Sequence, residues 1–413
     1  MRRKFSLLLV AILVLSFVGC REEHAQPEEP AEKAVLSDDS VCLTEGIASG
    51  STEGKPVDDA FSEAYRKFAY ELFQEAYQAG CSCISPYSVY EALAMTANGA
   101  ANDTLSEMEK VLGMPTEECS AVLKTLREKY DSNDTIRISD SIWVCSKHRD
   151  TIRENFLQKC VDYYSADVLA GDFISQKTVD DVNAWISAHT NKRIPKMIDG
   201  FGPNTEAVII NCLTFDGTWT YTFPEEETEE EDFHCADGSV RPEMMMTGEA
   251  DGVCDTEMLQ GIKKQYENGY AFWAFIPKEG YAIADVVDYL AKNDPKNIPF
   301  IHANDMVIHL PRMEVEADGK LNGALMNMGM KEAFDPGAAD FSNLSETDLW
   351  IGDVAHKVRL SVSEKGTEAA AATKIELKTK SIVLRYDIRF DSPFVYMIMD
   401  SENSVPLFIG IYE

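Results

Sequence analysis

The stretch Glu364-Lys365-Gly366-Thr367-Glu368-Ala369-Ala370-Ala371-Ala372-Thr373-Lys374-Ile375-Glu376-Leu377-Lys378 constrains the fold of this chain more than any other. Taken at every second position, Thr367, Ala369, Ala371, Thr373, Ile375 and Leu377 form one row, small at first and then apolar. Glu368, Ala370, Ala372, Lys374, Glu376 and Lys378 form the other, mostly charged. That is the period of a half-buried strand. The consecutive alanines also favour helix. In a helix, however, Ile375 and Leu377 would lie about 200° apart, on opposite faces. The segment is locally undecided, and its pattern suits a sheet with little room beside its first half.

Charge narrows the function classes. The 413 residues carry a formal net charge of −32. Binding to a phosphate backbone needs clustered Lys and Arg, so no nucleic-acid partner is expected. Self-repulsion on this scale suits an exported monomer. The ten cysteines include Cys81 and Cys83 in a C-x-C pair, and His234 stands beside Cys235. No tetrad with zinc spacing emerges, so neither a metal nor a cofactor is implied. Buried thiols or some disulfides are expected instead. The motifs H-E-x-x-H, G-x-S-x-G, G-x-x-x-x-G-K-[ST] and G-x-G-x-x-G do not occur, so the sequence offers no hydrolase or nucleotide-binding constellation. Asp131, Asn133 and Asp134 lack the spacing and the glycine of a calcium loop.

Residues 1–20 have the layout of a signal peptide. Arg2, Arg3 and Lys4 precede an apolar run from Phe5 to Val18 that is too short for a comfortable span. The run ends Phe17-Val18-Gly19-Cys20, which resembles a bacterial lipobox with Cys20 as the lipidated residue. Phe17 replaces the usual aliphatic residue there, and ordinary signal cleavage is the alternative. Such a leader implies a secreted or cell-surface protein, lipid-anchored to a bacterial membrane through Cys20. Residues 21–56 are rich in Glu, Ala, Pro, Ser and Gly and show no apolar period, so a flexible tether is expected.

The folded domain is expected over residues 57–413. Phe61, Tyr65, Phe68, Leu72 and Phe73 recur at helical spacing behind Asp58 and Asp59. Ser85 can cap a helix that opens with Pro86. Further helices are predicted over 104–112, 116–130, 151–164 and 178–190, and strands over 136–144, 207–215, 354–362, 394–400 and 407–411. Residues 207–215 are apolar on both faces apart from Asn211, whose amide must therefore find partners. His356 falls in the apolar row of Val354, Val358, Leu360 and Val362, the setting of a satisfied core histidine. The acidic run 225–232 reads as a solvated edge loop.

Several short motifs together resemble the serpin family. They are Ser85-Pro86-x-Ser88, Asn98-Gly99-Ala100-Ala101, Asn183-x-Trp185 followed by Thr190-Asn191, and Phe215-Asp216-Gly217-Thr218-Trp219 with Phe223-Pro224. Ala333-Phe334-Asp335-Pro336, Ala339-Asp340-Phe341-Ser342, Pro393-Phe394 and Pro406-Leu407-Phe408-Ile409-Gly410 continue the series. Glu364 to Thr373 is similar to the hinge of an inhibitory member. The resemblance covers nearly the whole domain. It implies one α+β domain of three β-sheets with surrounding helices and an exposed reactive-centre loop, here residues 364–386.

The activity implied is inhibition of a serine endopeptidase by a suicide-substrate route. The protease forms a covalent acyl complex with the cut loop, and the hinge inserts into the main sheet. Gly366, Thr367, Ala369, Ala371 and Thr373 would be the entering hinge residues, while Glu368, Lys374 and Glu376 would face solvent. Ser85, Ser88, Asn211 and His356 match the polar cluster where the central strands part. Trp219, Arg312 and Glu364 match the point where insertion begins, with an Arg312–Glu364 salt bridge. Counting from Gly366 places the cut at Lys380-Ser381, which implies a trypsin-like target. Lys378 or a bond nearer Ile382 is the alternative. A non-inhibitory binding or chaperone-like serpin is the competing function.

Overall fold

A computed structural model describes residues 34–302, 306–368 and 386–413. From the N-terminal side the chain runs β1 (Ser40–Cys42), α1 (Asp59–Gln78), β2 (Cys83–Ile84), α2 (Pro86–Ala97), α3 (Asn102–Leu112) and α4 (Thr116–Asp131). Then come β3 (Ile136–Cys145), α5 (Glu154–Tyr164), β4 (Asp167–Gly171), α6 (Gln176–His189), β5 (Ala207–Phe215) and β6 (Gly217–Thr218). The middle of the chain forms β7 (Thr228–His234), β8 (Val240–Gly248), β9 (Gly252–Asp255), β10 (Leu259–Gln265), β11 (Tyr270–Pro277) and α7 (Ile283–Lys292). The remainder forms β12 (Met306–Pro311), β13 (Met313–Lys320), α8 (Asn322–Met328), β14 (Ile351–Ser363), β15 (Gly366–Thr367), β16 (Tyr386–Arg389), β17 (Phe394–Asp400) and β18 (Val405–Tyr412).

These strands make three sheets, as the α+β reading requires. The main sheet has the order β1-β4-β3-β5-β14-β15-β6, with β13 also paired to β14. The second has the order β2-β18-β17-β11-β10-β9, and the third β16-β12-β8-β7. Helix α2 sits in the core with all twelve residues buried. Its sequence explains this position, since it is apolar or small all round rather than on one stripe. Pro86 occupies its first turn and the Ser85 side chain accepts from Ser88 N–H. Strand β5 is buried along its full length. Val208, Ile210 and Cys212 pack with Val182, Trp185 and Ile186 of α6, while Ile209, Leu213 and Phe215 face the main core. Double burial accounts for its continuous apolar run.

Three expectations need correction. Residues 34–56 are not a free tether. Strand β1 adds to the edge of β4 with Ser40 opposite Gly171 and Cys42 opposite Leu169. Ser37 Oγ donates to Asp181 at 2.6 Å, and Lys55 N–H donates to Ala121 O at 2.8 Å. Edge pairing uses backbone groups, so it needs no apolar period and leaves none in the sequence. The rest of the expected tether, residues 21–33, and the leader with Cys20 lie outside the described residues. The acidic run is not a loop either. Most of it forms β7, an edge strand whose exposed Glu229, Glu230 and Asp232 deny the edge to another chain. The helix expected from Thr151 begins at Glu154, because the preceding residues, Ser146–Thr151, form a tight 3₁₀ turn. Nine cysteines within the described residues are free thiols.

Candidate functional site

Strands β5 and β14 run parallel, and their register carries from Ile351 opposite Ala207 to His356 opposite Asn211 and Lys357 opposite Cys212. Beyond that point they part. At the far end, β15 lies between β14 and β6, antiparallel to both. Thr367 stands opposite Val362 on one side and Gly217 on the other, and Gly366 opposite Ser363 and Thr218. Residues 213–215 of β5 and 358–361 of β14 therefore face each other across a slot. Among the described residues, the slot holds at its mouth only the two residues of β15 and the bond from Glu368 N–H to Ser361 O at 2.7 Å.

Gly366 is needed at this mouth. Its φ is +151°, and a Cβ there would run into the Gly217 carbonyl. Thr367 is fully buried, and its hydroxyl meets the Tyr266 hydroxyl at 2.5 Å. Tyr266 stacks on Trp219 with centroids 4.1 Å apart. Trp219 Nε1 in turn donates to Ser363 O at 2.8 Å, and its backbone N–H to Lys365 O at 2.9 Å. The Lys264 ammonium lies under this stack, 4.2 Å from the Phe223 ring centre and 5.6 Å from that of Trp219. Burial lowers its pKa to about 8.

Glu364, in the turn before β15, accepts from Arg312 Nε at 2.8 Å and from Thr228 Oγ1 at 2.7 Å, and Arg312 Nη2 lies at 2.7 Å. Burial pushes this carboxyl up, but the bonds from Arg312 and Thr228 outweigh it and hold the pKa below its ordinary value. The expected pairing of Arg312 with Glu364, and their grouping with Trp219 at the mouth, are both present.

The polar cluster lies where the strands part. Ser85 N–H donates to His356 Nε2 at 3.0 Å. Ser88 Oγ donates to Asn211 Oδ1, and Asn211 Nδ2 donates to Ser88 O at 2.6 Å and to Asp140 Oδ1. Ser85, Ser88, Asn211 and His356 are thus one contact set, and the amide of Asn211 is satisfied. Burial lowers the His356 pKa to about 4, so the ring is neutral, and the Ser85 bond places its proton on Nδ1.

Sequence reasoning missed the layer behind this cluster. Asp140 stands opposite Asn211 on β3. Arg127 of α4 reaches Asp140 and Glu91 at 3.4 Å each, and Ile138 O at 2.8 Å. Burial raises Asp140 to about 6 and raises Glu91 as well. The signal was present, because Asp140 interrupts the apolar row Ile138, Ile142, Val144 and Glu91 interrupts a helix with no polar face. Glu368 also departs from expectation. Its side chain is only 10 % exposed and lies 2.9 Å from Arg193 rather than in solvent. Ala369, Ala371, Thr373, Lys380 and Ser381 lie outside the described residues.

The comparisons with known proteins agree with this architecture. Residues 63–413 match the family described as Serpin (serine protease inhibitor). An uncharacterised serpin-like protein of Thermococcus kodakarensis is 31 % identical, with 99 % of this chain and 98 % of that protein covered. The thermophilic serpin tengpin in its native state superposes with a TM-score of 0.82 at 31 % identity, covering 90 % of this chain and 99 % of tengpin. Tengpin in its latent state gives 0.72 at the same identity, with 87 % and 98 % covered. With the three sheets, the buried α2 and the hinge seated at the mouth of a slot, these matches establish that the chain belongs to the serpin family.

Proposed function

We propose that this serpin inhibits a trypsin-like serine protease as a suicide substrate, cut at Lys380-Ser381. The protease serine attacks the Lys380 carbonyl and forms an acyl-enzyme, and the amine of Ser381 leaves. The freed hinge then enters the slot and carries the acyl-bound protease with it before water can release it.

The observation that carries this reading is Thr367 seated between β14 and β6. Continued in the same register, β15 would bring Ala369 opposite Leu360 and Phe215, Ala371 opposite Val358 and Leu213, and Thr373 opposite His356 and Asn211. Val358, Leu360 and Val362 are buried on the core side, so residues entering on that face must be small. The order Thr, Ala, Ala, Thr meets that demand. At Thr373 the new strand reaches the last pairs that still join β5 to β14. The cluster of Ser85, Ser88, Asn211 and His356 therefore sits where opening must begin, with Trp219, Arg312 and Glu364 guarding the mouth.

The test is incubation with trypsin, followed by denaturing electrophoresis and mass spectrometry. A complex that survives SDS, acylated at Lys380, is expected. Clean cleavage across a panel of serine proteases would leave only the binding function. For the leader, we propose lipidation at Cys20 and a membrane-anchored protein outside the cell. Incorporation of labelled palmitate that persists in Cys20→Ala would overturn that part.

A further inference from the structure

The face of the hinge opposite Thr367 carries Glu368, and its surroundings assign a role to a residue outside the motifs above. The Glu368 N–H bond to Ser361 O holds the residue in ladder register with β14. Its φ is +53°, outside the extended region of a strand. Glu368 Oε2 is 2.9 Å from Arg193 Nη1, in the turn that follows α6. Arg193 also bonds Asp216, which lies between β5 and β6, and its carbonyl accepts from Arg359 Nη1 at 3.2 Å. Arg193 thus stands between two carboxylates over the mouth of the slot. Burial raises the Glu368 pKa to about 7 even with Arg193 beside it, and Asp216 adds to the rise. A buried carboxylate deprived of its cation is strongly destabilising, whereas removing both charges of a pair is often neutral.

We propose that Arg193 is a positioning residue for loop insertion, which holds the first residues of the hinge in the slot by neutralising Glu368 beneath the end of α6. The proposal rests on the insertion reading above. It also explains the second row of the hinge. After Glu368 the residues due on this face are Ala370 and Ala372, and continued register would set them opposite Arg359 and Lys357. Only one acid passes this point before the alanines, so a single cation is enough.

Three variants of the full chain test the role: Arg193→Met, Glu368→Lys, and Arg193→Met combined with Glu368→Gln. Two readouts are the annealing rate of a synthetic peptide with the sequence of residues 366–378 but with Gln in place of Glu368, so that it brings no charge of its own, and the moles of protein consumed per mole of trypsin inhibited. Arg193→Met and Glu368→Lys should each vacate the mouth and raise both readouts roughly fivefold. Adding Glu368→Gln to Arg193→Met should restore both to within about twofold, because the hinge then carries no charge into the slot. A double variant as impaired as Arg193→Met would show that Arg193 acts only through Asp216 and Arg359, and would overturn the proposal. So would unchanged annealing in Glu368→Lys, which leaves the Arg193–Asp216 pair intact should Arg193→Met fold poorly. If trypsin merely cleaves the unmodified protein, the inhibitory reading fails, while the annealing rates still decide whether Arg193 holds the hinge.

Discussion

His356 and Asn211 face each other across β14 and β5, and each is bonded to the start of the buried helix α2, His356 through Ser85 and Asn211 through Ser88. The β5–β14 pair is therefore tied to the core at the point where, on the insertion reading, it has to open. Separating these strands strains contacts with α2 as well as the ladder between them.

This arrangement makes a prediction about pH. Burial holds the His356 pKa at about 4, against about 6.5 in an unfolded chain. Between those values the unfolded state binds the extra proton, so stability falls as pH drops from about 6.5 to about 4. Asp140 acts in the opposite sense. Its pKa is raised to about 6, so the folded state binds the extra proton between about 4 and 6 and gains stability on acidification. The two partly cancel in the unmodified protein. His356→Asn, which keeps an acceptor for Ser85, removes only the first effect. The stability of the unmodified protein relative to this variant should fall by up to about 3 kcal/mol between pH 7 and pH 4. Urea unfolding at several pH values measures it, and a difference that stays constant across the range would refute the assignment.

On the insertion reading, Thr367→Arg should make the protein a substrate instead of a trap. Thr367 has no exposed surface and is enclosed by Tyr266, Val362 and Gly217. An arginine there would have to bury an unpaired charge, at a cost of several kcal/mol. The hinge would then stay outside, and the acyl-enzyme would have time to hydrolyse. Electrophoresis of the trypsin reaction should show the covalent band replaced by cleaved product. An unchanged yield of complex would contradict the seating of Thr367.

Gly366→Ala tests the mouth itself. The substitution meets two obstacles, a φ of +151° and the Gly217 carbonyl. Backbone strain of this kind costs on the order of 1–3 kcal/mol. Gly319 on β13 is the matched control, since a Cβ there meets nothing within 4 Å. Gly366→Ala should lower Tm by a few degrees and increase the fraction of protein cleaved without trapping protease. Gly319→Ala should do neither. Equal behaviour of the two variants would show that the close approach at Gly366 is not a constraint in solution.

Much of this was legible in the sequence because it is written in side-chain period and type. The double-sided apolar run of β5, the alternation of β14 and the proline and cap that open α2 each follow from burial pattern. Ser85, Ser88, Asn211 and His356 stand out because polar groups in apolar rows must find partners. What stayed hidden depends on backbone pairing or on distant charges. Strand β1 binds an edge through N–H and C=O groups that every residue carries. Arg193 pairs with Glu368 from 175 positions away in the sequence, and no local pattern announces that contact. The burial of Glu368 is hidden for the same reason, since alternation tells which face a residue occupies but not that the turn after α6 covers that face.

The last prediction concerns the energy held back by the intact loop. On the insertion reading, a chain continuous from Thr367 to Tyr386 tethers the hinge at both ends and keeps it from filling the slot. A single cut releases one end. Residues 368–378 could then extend β15, each pair of ladder bonds adding about 0.5–1.5 kcal/mol per bond. Ile375 and Leu377 could bury about 1.5–3 kcal/mol each on the core face. Set against the β5–β14 bonds that opening breaks, these gains are still comparable with the ordinary stability of a domain, about 5–15 kcal/mol. Melting curves before and after limited trypsin cleavage should therefore differ by tens of degrees, with the cut protein the more stable. The same cut in Thr367→Arg should produce little change, which separates insertion from any general effect of nicking. If the cut unmodified protein melts no higher than the intact one, the loop has no place in the sheet, and the protein works by binding rather than by trapping.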